Sequence, residues 1–331
     1  MGGYIPSTEE ERRAMLSALG LPDTDALFAD VPREMRLSSL DLPRGMSELE
    51  TAREMAALAG KNTVFSCIYR GAGAYDHYIP AVVKSVAAKE SFLTAYTPYQ
   101  AEISQGVLQS IFEYQTMICE LTGMDVSNAS VYDGASAAAE AAAMCREKGR
   151  TAVYVSGGVH PMTMETIRTY CDGAGAETRV LPLMDGVTDP ASAGALPADA
   201  ACVIVQQPNF YGLYEDAEAI FAAAHACGAK CVLCVNPIAA SILKTAKDCG
   251  ADVAVGEGQP LGMPLSFGGP YLGFMTAKQD MVRNLPGRIV GQTEDPDGSR
   301  CFVLTLQARE QHIRREKASS NICSNQALCP P

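Results

Sequence analysis

From Thr151 onward, short apolar runs alternate with segments whose apolar residues return at helical spacing. The runs Thr151–Ser156, Thr178–Leu183, Ala201–Gln206, Cys231–Val235 and Ala251–Val255 read as strands. Between them, Met162–Cys171, Glu215–Cys227 and Ile238–Cys249 read as helices. Strands apolar on both faces, alternating with helices, imply an α/β fold with a mainly parallel sheet and right-handed crossovers. Such sheets take ligands at the carboxyl ends of their strands, so functional residues are expected in the loops that follow.

Upstream, Leu108, Ile111, Phe112, Ile118 and Leu121 predict a helix between Gly106 and Gly123. Another follows Asp133-Gly134 through an alanine run to Gly149. Residues 64–78, rich in glycine and aromatics, read as a loop. The first 60 residues form a helical arm. Ser7 with Glu10, and Thr8 with Glu11, both fit a capping box ahead of Met15, Leu16 and Leu19, and Gly20 and Pro22 end that helix. A short helix is expected from Asp23-Thr24 to before Pro32, and a third from Ser47 to Gly60. The arm is too thin for a core of its own and is expected to wrap a partner or the main body. The expected organisation is an arm over 1–60, an α/β domain over 61–308, and over 309–331 a loop-helix start of a truncated segment, the closing small domain missing.

Composition narrows the function classes. With 331 residues, 47% hydrophobic and 19% charged, the chain is globular. Its net charge of −12 argues against a nucleic-acid partner. The cluster Arg309, Arg314, Arg315 and Lys317 reads as a solvated helix face. No stretch has the length of a membrane span, and the acidic start Met1–Glu11 lacks a secretory pattern, so a cytoplasmic location is expected. Most of the 12 cysteines fall in apolar runs, including the CxxC of Cys231 and Cys234, with no second ligand pair at finger spacing. Reduced, buried thiols are expected, and no metal site.

Three segments could carry chemistry. Tyr96, Thr97, Tyr99, Gln100 and Glu102 surround a proline turn ahead of a helix: a polar, stackable surface, or an ordinary helix start. Asp133-Gly-Ala-Ser136 could offer free amides to a phosphate, or be a plain N-cap. Asn209, in the loop directly after a strand, could meet a cofactor or substrate edge, or punctuate a Pro-Asn turn. Of the histidines, His225 reads as structural, whereas His160 at a strand end could stack or titrate in a cleft.

The ordered motifs Tyr96-Thr-Pro-Tyr-Gln-Ala-Glu-Ile-Ser-Gln-Gly106, Asn128-Ala-Ser130 with its alanine-rich helix, Gln206-Gln-Pro-Asn-Phe210, Arg309-Glu-Gln-His-Ile-Arg-Arg-Glu-Lys317, Ser320-Asn-Ile-Cys323 and Asn325-Gln-Ala-Leu328 resemble glycine dehydrogenase (decarboxylating) subunit 1. This is the amino-half homologue of the glycine cleavage system P-protein, and the resemblance runs from Tyr4 to the last residues. It implies the large domain of a fold-type I pyridoxal-phosphate (PLP) enzyme. It also implies a reaction in which PLP takes glycine's amino group, CO2 leaves, and the aminomethyl group passes to the lipoyl H-protein. Such a site needs a Schiff-base lysine and an acid at the pyridinium nitrogen. Where the resemblance would put the lysine, after Val255, none occurs before Lys278, and Asn236 stands where the acid is expected.

The implied reading is therefore a subunit that carries no catalytic residue alone and is active only with a lysine-bearing subunit 2, which binds most of the cofactor. Tyr96, Thr97, Tyr99, Gln100, Glu102, His160 and Asn209 would line a shared site, and Ser319, Ser320 and Asn321 would reach the cofactor phosphate across the interface. Glycine and the H-protein are the other implied partners. The competing readings are a non-catalytic scaffold of the same fold, and a self-sufficient PLP enzyme using Lys244, Lys247 or Lys278.

Overall fold

The computed structural model describes residues 7–37, 39–69, 73–93, 96–318 and 321–323. The chain divides into two units, Met1–Tyr69 and Arg70–Pro331.

In the first unit, α1 (Glu9–Ala18) is opened by the Thr8/Glu11 capping box rather than the Ser7/Glu10 alternative. The Glu11 amide donates to Thr8 Oγ1 at 3.2 Å and the Thr8 amide to Glu11 Oε2 at 2.7 Å. The expected second helix is a 3-10 turn, Asp25–Phe28. Ser47 and Glu50 box the start of α2 (Glu48–Ala59). No described residue of this unit is buried, so it has no core of its own.

The second unit begins with α3 (Ala81–Ala87), α4 (Glu90–Leu93) and α5 (Gln105–Thr122), the last ended by Gly123 at φ 72°. Then follow β1 (Val126–Ser127), α6 (Gly134–Cys145), β2 (Ala152–Ser156), α7 (Pro161–Gly173) and β3 (Thr178–Leu181). A small hairpin pairs β4 (Leu183–Met184) with β5 (Val187–Thr188), and α8 (Pro190–Ala193) follows. The chain continues through β6 (Ala200–Gln207), α9 (Ala217–Ala226), β7 (Lys230–Val235), α10 (Pro237–Ala240), β8 (Val253–Glu257) and β9 (Gly273–Ala277). A second hairpin, β10 (Ile289–Glu294) with β11 (Arg300–Thr305), precedes α11 (Gln311–Arg314).

The seven-stranded sheet has the order β1-β9-β8-β7-β6-β2-β3. Strands β8, β7, β6, β2 and β3 run parallel, while β9 runs antiparallel to both β8 and β1. The mainly parallel α/β expectation therefore holds. One face packs on α6 and α7 through Ala138, Ala142, Ile167 and Val155, the other on α9 through Ile220, Phe221 and Val203. The fully buried alanines of α6 bring that helix backbone close to the sheet, because no long side chain holds them apart.

Three expected elements change. The helix expected over Ile238–Cys249 stops at Ala240. Thr245 Oγ1 accepts the Asp248 amide at 3.1 Å, and this local bond competes with a continuing helix. The helix expected to reach Gly149 ends at Cys145, since Glu147 and Arg150 bridge across a turn with Gly149 at φ 85°. The strand expected to run to Leu183 breaks at Pro182, which has no amide for the ladder. No described helix is long and apolar enough to cross a membrane.

Candidate functional site

The chain leaves β2 for β3 on one side and later returns with β6 on the other, so the topological switch point lies between β2 and β6. The loops after these two strands meet there, bringing together His160 and Asn209, which are far apart in sequence. The Phe210 amide donates to the Gly158 carbonyl at 2.7 Å, and the His160 amide to Gln206 Oε1 at 2.9 Å. The His160 ring meets Phe210 edge-on with centroids 5.0 Å apart, and its Nδ1 accepts the Met162 amide as the cap of α7.

Asn209 is buried and its side chain is committed to the loop. Nδ2 donates to the Gly186 carbonyl and to Glu215 Oε1, and Oδ1 accepts the amides of Tyr211 and Leu213. The Glu215 carboxylate also accepts the Thr188 amide at 2.7 Å. A β-carbon at position 158 would sit 2.9 Å from Glu215 Oε1 and 3.1 Å from Asn209, so the close approach requires glycine.

Along the sheet, the first turn of α6 is likewise already served. Asp133 caps it, accepting the Ser136 amide at 2.7 Å. Glu257, the last residue of β8, accepts the Gly134 amide at 2.9 Å and the Gln259 and Leu272 amides at 3.0 Å each. Burial raises the Glu257 carboxyl above its ordinary range, outweighing the three amides that lower it. Two donors that a phosphate at this turn would use, the Gly134 and Ser136 amides, thus hold the protein's own carboxylates, Glu257 and Asp133.

At the end of β7, Asn236 Oδ1 caps α10 through the Ile238 and Ala239 amides. Lys244 pairs with Glu218, Lys247 with Asp125 and Lys278 with Asp252, so none of the three reaches into this crevice. These residues do not fit PLP: the crevice offers an amide where an acid is needed, a carboxylate where phosphate would bind and, among the described residues, no amine.

At the sheet's opposite end, His225 Nε2 lies 2.8 Å from Asp252 Oδ2. Cys231 completes a group whose ligand atoms lie within 4.8 Å of one another, but Lys278 already neutralises the carboxylate at 2.6 Å. The described cysteines are free thiols, and burial pushes Cys234 up to about 12.

The tyrosine-rich loop belongs to a different cluster. Gln105 ties it to β11, donating to the Ala101 and Phe302 carbonyls and accepting the Phe302 amide at 2.8 Å. Gln115 does the same for β10 at Val290. Thr97 is buried and its carbonyl accepts the Tyr99 amide at 2.8 Å, while Tyr96, Tyr99, Gln100 and Glu102 are exposed.

Tyr99 meets Arg288: the guanidinium carbon lies 5.5 Å from the ring centroid, and Nη2 donates to the hydroxyl at 3.3 Å. His312 approaches the same ring edge-on at 6.0 Å. Arg288 Nη2 also reaches Cys323 Sγ at 3.4 Å, and the Cys323 amide donates to Tyr132 Oη. Half-buried Glu310 lines the same cavity, its carboxyl raised by burial and its Oε1 without a hydrogen-bond partner. Next to it, buried Arg309 donates to the Leu285 and Gly287 carbonyls, fixing the chain that carries Arg288. Asn321 is exposed, and Ser319 and Ser320 lie outside the described residues.

Arg288, Glu310 and His312 were not among the expected site residues. Glu310 and His312 lie within the Arg309–Lys317 motif, but Arg288 carries no local signal.

A mainly parallel sheet, covered by helices on both faces and with its crevice at a switch point, is an architecture that binds ligands at its strand ends, and here it matches the fold-type I PLP class. Residues 2–330 match the family model of the glycine cleavage system P-protein, and the chain belongs to that family, which is PLP-dependent. It is 56% identical over 331 residues to a probable glycine dehydrogenase (decarboxylating) subunit 1 of Desulforamulus reducens, covering 98% of this chain and 74% of that one. It is 54% identical to the protein of the same description in Carboxydothermus hydrogenoformans, with the same coverage. A crystal structure of glycine decarboxylase (P-protein) of the glycine cleavage system, in inhibitor-bound form, superposes with a TM-score of 0.93 at 46% identity, covering 99% of this chain and 75% of that one.

Proposed function

We propose that this chain is the non-lysine-bearing subunit of a two-subunit glycine decarboxylase, active only when joined to subunit 2. Subunit 2 supplies the Schiff-base lysine and most of the contacts to PLP. The reaction releases CO2 from glycine and delivers the aminomethyl group to the lipoyl H-protein. When bound, the cofactor supplies the electron sink for loss of the carboxylate. The chain's own residues shape the shared site. Tyr96, Thr97, Tyr99, Gln100 and Glu102 line it from one loop, and Ser319, Ser320 and Asn321 approach the cofactor phosphate across the interface. His160 holds the switch-point crevice, and Asn209 supports the loop beneath it. The helical arm and acidic surface serve subunit packing, and the complex works in the cytoplasm.

The observation that carries this reading is the contrast between two places in the fold. The chain's own strand-end crevice is filled by the Glu257 carboxylate. The tyrosine-rich loop meanwhile converges with a half-buried arginine and Glu310 in an open cavity. A mere scaffold needs only the first feature. The test is glycine–bicarbonate carbon exchange by the chain alone, by subunit 2 alone and by the mixture. Activity in the mixture that collapses with Tyr96→Phe or Asn321→Ala is the expected result. Full activity of subunit 2 by itself, or no effect of either substitution, would overturn site sharing.

A further inference from the structure

Arg288 stands immediately before β10 with its guanidinium half-buried at the wall of the Tyr99 cavity. A half-buried arginine is ordinarily paired, because removing its charge from water costs free energy unless an anion compensates. Among the described residues, no carboxylate lies within ion-pair distance of it. Its partners are the Tyr99 hydroxyl and Cys323 Sγ, neither of them a carboxylate and both on Nη2, with the Tyr99 ring against the guanidinium. Among the described residues Nε and Nη1 have no hydrogen-bond partner, and Glu310, the acid lining the same cavity, feels the Arg288 charge but pairs with Arg309, 3.9 Å from its Nη2. The arginine is therefore held in place by an aromatic face, a hydroxyl and a thiol, all on one side of its guanidinium fork.

Nε and one terminal nitrogen form the fork that matches two oxygens of a carboxylate or phosphate. Tyr99 restrains the guanidinium, so less side-chain entropy is lost when an anion arrives. Arg309 anchors the preceding backbone at Leu285 and Gly287, and the Ala129 amide donates to the Arg288 carbonyl at 2.7 Å, so the fork stands on a fixed segment.

We propose that Arg288 is the oxyanion-binding residue of this cavity, with Tyr99 as its positioning residue. It holds either the carboxylate of the amino-acid substrate or the phosphate of the cofactor, both of which present paired oxygens. The inference rests on the shared-site reading above for its role in the reaction, but not for anion binding itself.

Two measurements test it. In the first, thermal melts of the full chain alone are taken with and without 50 mM inorganic phosphate or acetate, at matched ionic strength. The wild type should gain about 2 °C or more with at least one anion, and Arg288→Ala should lose that gain while keeping its circular dichroism spectrum. In the second, Arg288→Ala and Arg288→Lys are each mixed with subunit 2. A rise of tenfold or more in KM for glycine, with PLP retained, assigns the carboxylate. A fall of tenfold or more in PLP affinity, with KM unchanged, assigns the phosphate. Arg288→Lys should recover part of either loss, because it keeps the charge but not the fork. Wild-type melts indifferent to both anions, together with unchanged KM and PLP affinity in the variants, would overturn the proposal. If the wild-type mixture is inactive, the shared-site reading fails, and the melts alone decide the fate of Arg288.

Discussion

Glu257 Oε2 accepts the Gly134 amide at 2.9 Å, joining the end of β8 to the first turn of α6 across 123 residues of sequence. The other oxygen takes two more amides, at Gln259 and Leu272. One carboxylate thus closes the crevice and pins both ends of the loop after β8. Truncation to Glu257→Ala leaves these donors without their partner, at a cost of about 1–3 kcal/mol. The expected readout is a melting temperature lower by several degrees, at roughly 2–4 °C per kcal/mol. Even so, added PLP should produce no absorbance near 420 nm that borohydride abolishes, since no amine is gained. A wild-type melting temperature in the variant would show that the three bonds contribute nothing.

Glu310 gives a pH dependence of defined sign. Burial raises its carboxyl, so the folded state prefers the protonated form. Its stabilising contribution is complete below the ordinary carboxylate range and is lost as pH rises through the higher folded value. Glu310→Gln, which stays neutral, should melt above the wild type at pH 7–8, and the two curves should converge near pH 4. A gap that widened on acidification would contradict this assignment.

Asp252 behaves in the opposite sense. Burial works to raise it, but hydrogen bonds from His225, Lys278 and the Cys231 amide prevail and hold it at about 2. Its contribution is present above the unfolded carboxylate range and disappears as pH falls from about 4 toward 2. Asp252→Asn should lower the melting temperature at pH 7 by a few degrees, with the deficit closing over that acidic window. A pH-independent deficit would mean that packing, not charge, is what Asp252 provides.

Gly158→Ala tests the switch point. Its β-carbon would fall 2.9 Å from Glu215 Oε1 and 3.1 Å from Asn209, both buried and both already bonded. Overpacking of this kind costs about 1–3 kcal/mol. Chemical denaturation should detect a shifted midpoint with little change in slope. A neutral result would mean that the β2 and β6 loops can separate without loss.

The central strands were legible because β2, β6, β7 and β8 are apolar on both faces, a pattern that few other elements produce. The capping boxes at Thr8 and Ser47 were readable because their bonds close within three residues. Less could be read where a local bond competes with the periodic pattern, as Thr245 does beyond α10. The β10–β11 hairpin was hidden because its solvent-facing halves carry polar and charged residues without strong alternation. Of the site, the tyrosine loop was readable as a motif. Arg288 was not, since its meaning depends on Tyr99, 189 residues away.

By itself, the sequence determined the α/β class, the positions of the main strands along the chain and the lack of a lysine between Val255 and Lys278, all matters of residue type and local period. Only the tertiary structure decided that the antiparallel β9 lies between β1 and β8, that Glu257 takes the first amide of α6, and that Arg288 lies beside Tyr99. Those facts depend on which distant backbone donors and charges are brought within 3–4 Å, where hydrogen bonding and ion pairing act, and no spacing along the chain encodes that meeting.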